Sequence, residues 1–238
     1  KSRSGQQNLV VAPDQFLRRL EGVMYGRNPR EGFSEDGHFY HPDLRFKLDY
    51  PSNWQVRNSK SAVLFLEPNQ RAAIQLTISP EGSARSPRAR AEEIASSRGT
   101  RFLEGESTRI NGKTAFLGRY QVQQSQGNVL QVLAAFISHG DALYEIAGFS
   151  PNDYYRSVAG TFEETLTSFD TLRDPEILSV EPDRLHIYEI KRGGTLRDVA
   201  ELFPNPEVTI SDLSLLNRID PDTQLGPGTL VKVVRSGR

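Results

Sequence analysis

Four alternating segments separated by short turns constrain the fold of this chain more than any other feature of its sequence. They cover residues 102–110, 114–123, 129–138 and 143–149. The first turn is Asn111-Gly112, a strong hairpin signal because both residues accept the positive φ angles of a tight turn. Similar turns occur at 126–128 and 139–141. The run therefore predicts an antiparallel sheet.

Elements on both sides of this run complete the predicted domain. Further strands are predicted at 44–50, 63–66 and 72–78, and a helix at 89–97. Ser150 and Asp153 form a capping-box pattern with Pro151 at the first helical position, which predicts a long helix. Its apolar stripe is Tyr155, Val158, Phe162, Leu166 and Phe169. Such a stripe must lie across the sheet, so we predict an α+β domain in which helices cover an antiparallel sheet.

The last fifty residues have a different pattern. Residues 186–190 alternate like a half-buried strand, and two glycines follow. Two Thr-x-x-Asp capping boxes, beginning at Thr195 and Thr209, predict the starts of two helices. Residues 225–234 indicate a turn into a final strand. The sequence therefore predicts a small domain of β-α-α-β order.

Composition excludes several classes of function. The 238 residues, of which 37% are hydrophobic, suffice for one medium and one small domain. They include no cysteine, which excludes disulfides, thiolate catalysis and cysteine-ligated zinc. A net charge of -1 argues against a nucleic-acid partner, and no apolar run approaches a membrane span. The chain begins with Lys1 in place of methionine, and we expect it to be a piece of a longer protein.

The residues that could carry catalysis do not have the spacing of a known catalytic motif. The four histidines are His38, His41, His139 and His186. No two of them have the spacing of a His-Glu-x-x-His zinc motif. We interpret His38 and His41 as part of a loop that enters a strand. Glu92-Glu93 and Glu163-Glu164 are adjacent on predicted helices, so their carboxylates diverge. We therefore expect no catalytic and no metal-binding residue.

Two sequence features mark the beginning and the end of the middle domain. It opens with Phe-x-Leu-x-Tyr-Pro-x-x-Trp, from Phe46 to Trp54, and closes with a helix that ends in Ser168-Phe169. With this order of elements, roughly Tyr40 to Leu172 is similar to the PsbP-like fold. Domains of that kind are mostly noncatalytic accessory modules, so the resemblance implies an accessory role.

The C-terminal pattern resembles a LysM module, whose family pattern has an apolar strand, Gly-Asp-Thr-Leu, Leu-x-x-x-Asn and Leu-x-x-Gly. LysM modules bind polymers that contain N-acetylglucosamine, so the resemblance implies a peptidoglycan ligand. The family's groove lies between the loop after the first strand and the loop after the second helix. The matching positions here are Gly193, Gly194, Thr195, Leu196, Asn217, Arg218, Ile219, Asp220 and Pro221.

The first part of the chain resembles a segment of larger proteins. The matching stretches are Phe16-Leu17, residues 24–33, residues 39–44, Tyr50-Pro51 and Trp54. They are similar to the segment that follows the catalytic domain in bacterial zinc metallopeptidases of the class of HtpX and the CAAX prenyl proteases. The resemblance implies the noncatalytic tail of a periplasmic peptidase. Its zinc would lie in an upstream catalytic domain, which is an expected partner that docks on Phe16 and Leu20.

The sequence is therefore divided into four parts. Residues 1–35 are an N-terminal helix and connector, 36–172 the PsbP-like domain, 173–184 a linker rich in Pro, Asp and Glu, and 185–238 the LysM-like domain. Three roles stay open besides that of an accessory region. They are a peptidoglycan-binding module, a protein-interaction scaffold for envelope proteins without a saccharide ligand, and an unrecognised enzyme in the middle domain.

Overall fold

A computed structural model describes residues 13–79, 86–124 and 127–237, which group into two units by their contacts. Residues 30–179 form the first, which we call the sheet unit. The described residues up to Pro29 join those from Val180 onward in the second, which we call the terminal unit. This grouping differs from the four predicted parts, because the N-terminal helix and the residues after it belong with the C-terminal elements.

A seven-stranded antiparallel sheet forms the centre of the sheet unit. In spatial order its strands are β4 (Gln55–Asn58), β5 (Val63–Leu66), β6 (Ala73–Ile78), β10 (Ala142–Pro151), β9 (Val129–His139), β8 (Lys113–Gln123) and β7 (Thr100–Ile110). The four segments that dominate the sequence are β7 to β10. Asn111 and Gly112 have φ angles of 47° and 80°, as a tight hairpin turn requires. The predicted antiparallel sheet is confirmed.

A second, smaller sheet lies in the same unit. Its strands, in order, are β1 (Phe33–Glu35), β2 (His38–His41), β3 (Phe46–Asp49) and β11 (Asp170–Thr171), and all pairs are antiparallel. Strands β1, β2 and β4 are not predicted from the sequence, because Phe-Ser-Glu, His-Phe-Tyr-His and Gln-Val-Arg-Asn contain too few aliphatic residues to show a strand pattern. Strands β3 and β5 are equally short, but their apolar residues reveal them.

Two helices cover opposite faces of the large sheet. They are α3 (Tyr155–Ser168) and α2 (Pro87–Ala95). Ala135 and Ile137 of β9 share a core with the buried residues of α3, whereas Ala134 and Phe136 share one with α2. Successive residues of a strand point to opposite faces, so the two cores lie on the two sides of the sheet. The sheet unit is thus an antiparallel sheet covered by helices, as predicted.

The predicted start of the long helix is wrong. Ser150, expected to cap it, is 1% exposed in β10 and pairs with Gln131 of β9. The ladder between the two strands continues to Pro151. The helix begins only at Tyr155, and its N-cap Tyr154 makes no side-chain capping bond. Strand pairing therefore takes precedence over the local capping pattern.

The terminal unit has the β-α-α-β order that the sequence predicts. Its elements are α1 (Pro13–Arg18), β12 (Arg184–Glu189), α5 (Leu196–Leu202), α6 (Ile210–Asn217) and β13 (Leu230–Arg235). Strands β12 and β13 pair antiparallel. Both capping boxes form, with the side chains of Thr195 and Thr209 as N-caps of α5 and α6. No helix in the described ranges is both long and apolar enough to cross a membrane.

The residues after α1 cover the free edge of β12. Gly22 N donates to Leu185 O at 2.8 Å, and Leu185 N donates to Val23 O at 2.8 Å. Glu21 extends this contact, because its carboxylate accepts from Ile187 N at 2.8 Å. Leu20, expected to face an upstream domain, packs against the core of the terminal unit, whereas Phe16 is 54% exposed. An edge whose N–H and C=O groups would otherwise be unpaired is thereby closed.

The segment 173–184, predicted to be a linker, has ordered contacts. It begins with helix α4 (Pro175–Leu178), which Asp174 caps by accepting from Glu176 N. Beyond it, Val180 is 8% exposed, and Asp183 accepts from Gly237 N at 3.0 Å. Most of this segment therefore belongs to one unit or the other.

Phe162 of α3 lies directly over Gly148 of β10. A Cβ added at Gly148 would lie 2.6 Å from Cδ1 of that ring, which is closer than real side chains approach. We expect Gly148→Ala to lower the free energy of unfolding by about 1–3 kcal/mol, the usual cost of overpacking a core. Chemical denaturation followed by far-UV circular dichroism would measure the change.

Gly160, on the exposed side of the same helix, provides the control. An added Cβ there meets no atom within 4 Å, so Gly160→Ala is expected to stabilise the helix by up to about 1 kcal/mol. Equal effects of the two substitutions would contradict the close approach of α3 to the sheet.

Candidate functional site

The two loops predicted to form a ligand groove lie side by side in the terminal unit. Gly194 N donates to Leu225 O at 3.1 Å, and Leu225 N donates to Gly194 O at 2.8 Å. Arg197 N donates to Pro221 O at 3.2 Å, and the Arg197 guanidinium binds both carboxylate oxygens of Asp222. These contacts bring the positions predicted from the sequence onto one surface, and they also use several backbone groups that a ligand would need.

Three of the predicted site residues have structural roles. Leu196 is fully buried in the core of the terminal unit. Thr195 caps α5, and its backbone N–H donates to Asp198 Oδ2 at 2.7 Å. The Asn217 side chain donates to Leu213 O at 2.9 Å and to Lys232 O at 2.8 Å, and accepts from Lys232 N at 2.7 Å. Asn217 therefore fixes the end of α6 to β13, and its amide is fully used.

The other predicted residues form the accessible part of this surface. Gly193, Arg218 and Asp220 are exposed, whereas Gly194, Ile219 and Pro221 are half-buried. Arg218 has a left-handed backbone with a φ of 57° and ends α6. Burial lowers the pKa of the nearby Lys232 ammonium, and the positive charge of Arg218 lowers it further. Six of the nine predicted residues therefore remain accessible to a ligand.

The histidines are separated by the fold. His38 Nδ1 lies 2.7 Å from Asp49 Oδ1, and His41 Nδ1 accepts from Leu44 N at 3.2 Å. Both lie on β2 instead of in the predicted loop, and their spacing of three places them on opposite faces. Burial lowers the pKa of His41. Among the residues that the structure describes, no three His, Cys, Asp or Glu side chains form a cluster suited to a metal ion.

The terminal unit contains an apolar groove that is not predicted from the sequence. Its volume is about 460 Å³, and it lies between α5, α6 and the loop that joins them. Its wall is formed by Ala200, Phe203, Pro204, Pro206, Val208 and Ile210. The only sequence signal was the clustering of proline and apolar residues between two helices, which equally describes an ordinary tight connection.

A charged groove in the sheet unit was also missed. It measures about 530 Å³ and lies between the β7–β8 hairpin and α3. Leu117, Leu133, Tyr155 and Ala159 contribute its apolar surface, and Glu104, Glu106, Arg119 and Glu163 its charges. Glu104 and Glu106 alternate along β7, but nothing in the sequence indicates that Arg119 and Glu163 face them.

Residues 37–171, more than half of the chain, match the family model of PsbP. This range is the sheet unit almost from end to end, with its large antiparallel sheet and covering helices. The chain therefore belongs to the PsbP family, as the pattern between Tyr40 and Leu172 predicted. No curated protein matches the sequence.

Several solved structures are similar to this chain. The solution structure of cyanobacterial PsbP (CyanoP) from Synechocystis sp. PCC 6803 is 15% identical, covers 59% of this chain and 91% of that one, and has a TM-score of 0.44. LpqN of Mycobacterium tuberculosis, described as involved in cell envelope biogenesis, is 10% identical, covers 68% of this chain and 97% of that one, and has a TM-score of 0.41. A protein of Bacteroides thetaiotaomicron VPI-5482 is 16% identical with a TM-score of 0.44. That match covers 64% of this chain and 53% of the other, so the chain spans about half of that protein's length.

Asn217→Ala tests whether this residue is structural. We expect the variant to lose about 2 kcal/mol of unfolding free energy, because the half-buried N–H and C=O of Lys232 lose their partners. Thermal unfolding of the terminal unit would measure it. Gln224→Ala, an exposed change in the adjacent loop, is the control and should have little effect. If the two variants unfold alike, the Asn217 contacts contribute nothing.

Proposed function

We propose that this chain is the noncatalytic accessory region of a periplasmic zinc metallopeptidase, and that its terminal unit is a LysM-like module that localises the enzyme. The observation that carries the proposal is the contact between the loop at Gly194 and the loop at Leu225. In a β-α-α-β unit these are the two loops that the LysM resemblance assigns to the ligand. The sheet unit, a PsbP-family domain, then has an accessory role beside it.

The N-terminal segment supports a localising role. The stretch that resembles the region after a peptidase catalytic domain includes residues 24–33, and Tyr25 N of this stretch donates to Asp183 O at 2.7 Å. Met24 makes a β-bridge with Arg184. The segment that would follow a catalytic domain is therefore held against the LysM-like module by backbone hydrogen bonds.

Peptidoglycan is the ligand that this proposal favours. Ile219 and Pro221 are half-buried and offer apolar surface to a sugar ring, while Arg218 and Asp220 are exposed beside them and offer polar groups. Because the backbone groups of Gly194 and Leu225 bond to each other, we assign recognition mainly to these side chains.

Cosedimentation with purified peptidoglycan tests the ligand. We expect the chain to sediment with it, and the double variant Arg218→Gly/Asp220→Asn to bind roughly tenfold more weakly, as expected for two lost polar contacts. Glycine keeps the left-handed backbone at 218, and asparagine keeps the acceptor that Asp220 offers to Asp222 N.

Leu215→Ser is the matched control for that experiment. Leu215 is 79% exposed on α6 and lies outside the predicted site, so its variant should bind like the parent. If the parent, the double variant and Leu215→Ser bind equally, residues 218–221 do not recognise the ligand. Failure of the folded parent to sediment would exclude peptidoglycan.

A peptidase assay tests the noncatalytic role independently. With casein as substrate and added Zn²⁺, we expect no hydrolysis above the level measured in EDTA, since a zinc peptidase needs ligands such as those of a His-Glu-x-x-His helix. Turnover that depends on zinc and persists through further purification would contradict the proposal.

A protein-interaction scaffold is the second candidate, and the apolar groove between α5 and α6 favours it. Phe203 and Val208 line this groove, and Leu202, which precedes Phe203 in the chain, is 60% exposed. Apolar surface of this kind is typical of protein contacts. An envelope protein as ligand would account for a chain that does not sediment with peptidoglycan.

A further inference from the structure

The turn between β7 and β8 contains the one Asn-Gly pair of the sequence. Asn111 and Gly112 are both exposed and both have positive φ angles, and the strands close beside them with Ile110 opposite Lys113. Asparagine is a thermally labile residue, and glycine, which has no side chain, leaves its own backbone nitrogen unhindered. The pair that favours the turn is therefore also the pair whose side-chain amide is most open to attack by the next backbone nitrogen.

The Asn111 side chain is bound to the end of α3. Its Nδ2 donates to Thr167 O at 3.1 Å and to Phe169 O at 3.0 Å. The last carbonyl groups of a helix have no partner within it, and this amide provides one. Phe169 is fully buried in the core of the sheet unit. The turn is therefore fixed to a well-packed part of the domain.

An ion pair strengthens the same contact. Lys113 Nζ lies 2.6 Å from Asp170 Oδ1, and their side chains are only 10% and 25% exposed. Burial raises the pKa of the Asp170 carboxyl, but the hydrogen bonds from Lys113 and from Thr171 N outweigh it, and the pKa lies below its ordinary value. Asp170 is therefore charged at neutral pH. The hairpin is thus held at the end of α3 by an ion pair as well as by the Asn111 amide.

We propose that Asn111 is a deamidation site that the folded sheet unit blocks, and that it reacts when the β7–β8 hairpin separates from α3. In this reaction Gly112 N loses its proton to hydroxide and attacks Cγ of Asn111. The new N–Cγ bond closes a succinimide ring, the Cγ–Nδ2 bond breaks, and Nδ2 takes a proton from water and leaves as ammonia. Water then opens the ring to aspartate or isoaspartate.

The nitrogen that must leave is the atom that the fold holds in place. Nδ2 donates both hydrogen bonds to α3, so both must break before ammonia can depart. Reaction in the native protein therefore requires a local opening of the hairpin. This modification lies in the sheet unit, is independent of the saccharide surface in the terminal unit and goes beyond the function proposed for it.

The product cannot restore the contact. An aspartate at position 111 would turn an acceptor toward the two carbonyl oxygens and toward the negative end of the α3 dipole. The nearby cations are already engaged, because Arg109 Nη1 donates to Gly112 O at 3.1 Å and Lys113 is paired with Asp170. Deamidation therefore weakens the docking of the hairpin permanently.

Incubation of the full chain in mildly alkaline buffer, followed by peptide mass spectrometry, tests the site. We expect Asn111 to deamidate roughly tenfold or more slowly in the native protein than in urea, because two hydrogen bonds must break first. Asn111→Gly keeps a residue that favours the turn and lacks the reactive amide, so this hairpin should stay unmodified under both conditions.

A pair of substitutions tests whether the contact with α3 provides the protection. Asp170→Ala removes the ion pair with Lys113 at a position far from Asn111 in the sequence. We expect it to accelerate native deamidation about threefold and to leave the rate in urea unchanged. Asp141→Ala, which removes an exposed carboxylate from the turn between β9 and β10, is the matched control and should change neither rate.

Asn111→Asp reproduces the product and tests its effect on the fold. We expect its denaturation midpoint, followed by circular dichroism, to lie below that of the parent, because aspartate cannot donate to the two carbonyls of α3. Asn152→Asp is the control. Asn152 is exposed and its Oδ1 accepts from Gln131 Nε2, so aspartate keeps this bond and the midpoint should not change.

Three outcomes would overturn the proposal. They are equal deamidation of Asn111 in buffer and in urea, a rate in Asp170→Ala no higher than in Asp141→Ala, and a denaturation midpoint of Asn111→Asp equal to that of the parent. Circular dichroism of each variant before incubation confirms that it is folded, so that a faster reaction reports on the hairpin and not on general unfolding.

Discussion

The contact between Phe162 and Gly148 sets the distance between the long helix and the large sheet. Because glycine has no side chain, the aromatic ring of Phe162 lies against the backbone of β10, and α3 packs close to the sheet at this point. Trp54 meets the same ring edge-on, with the ring centroids 6.5 Å apart, so the contact also orders the chain before β4. Glu163, the next residue of α3, lines the charged groove. The contact that holds Phe162 against β10 therefore also positions one wall of that groove.

The sequence predicts the features of this fold that arise from neighbouring residues. Asn111-Gly112 identifies a hairpin, and Thr195 and Thr209 identify helix starts, because the interactions in each case span two or three residues. The same local pattern fails at Ser150, where pairing with a strand about twenty residues earlier decides the structure. Local signals therefore hold where no long-range partner competes with them.

The candidate sites are predicted less well, for a related reason. Family resemblance places Asn217 in a ligand groove, but its side chain is occupied by Leu213 and the backbone of Lys232. A pattern shared by a family marks residues that maintain the fold as well as those that bind. In the charged groove, Glu104, Arg119 and Glu163 come from three elements, and only the register of β7 against β8 and the position of α3 bring them together. No spacing in the sequence contains that information.

The order of the two units along the chain has a consequence for folding. The terminal unit is discontinuous: its first part precedes the sheet unit and its second part follows it. Joining two parts across a flexible loop of about 150 residues, instead of about ten, costs roughly 2 kcal/mol more in chain entropy. The sheet unit removes this cost once it has folded, because Arg30 Nη1 near its start donates to Leu178 O near its end at 3.2 Å. A folded sheet unit therefore shortens the effective loop between the two parts of the terminal unit. Unfolding of the sheet unit is expected to destabilise the terminal unit as well.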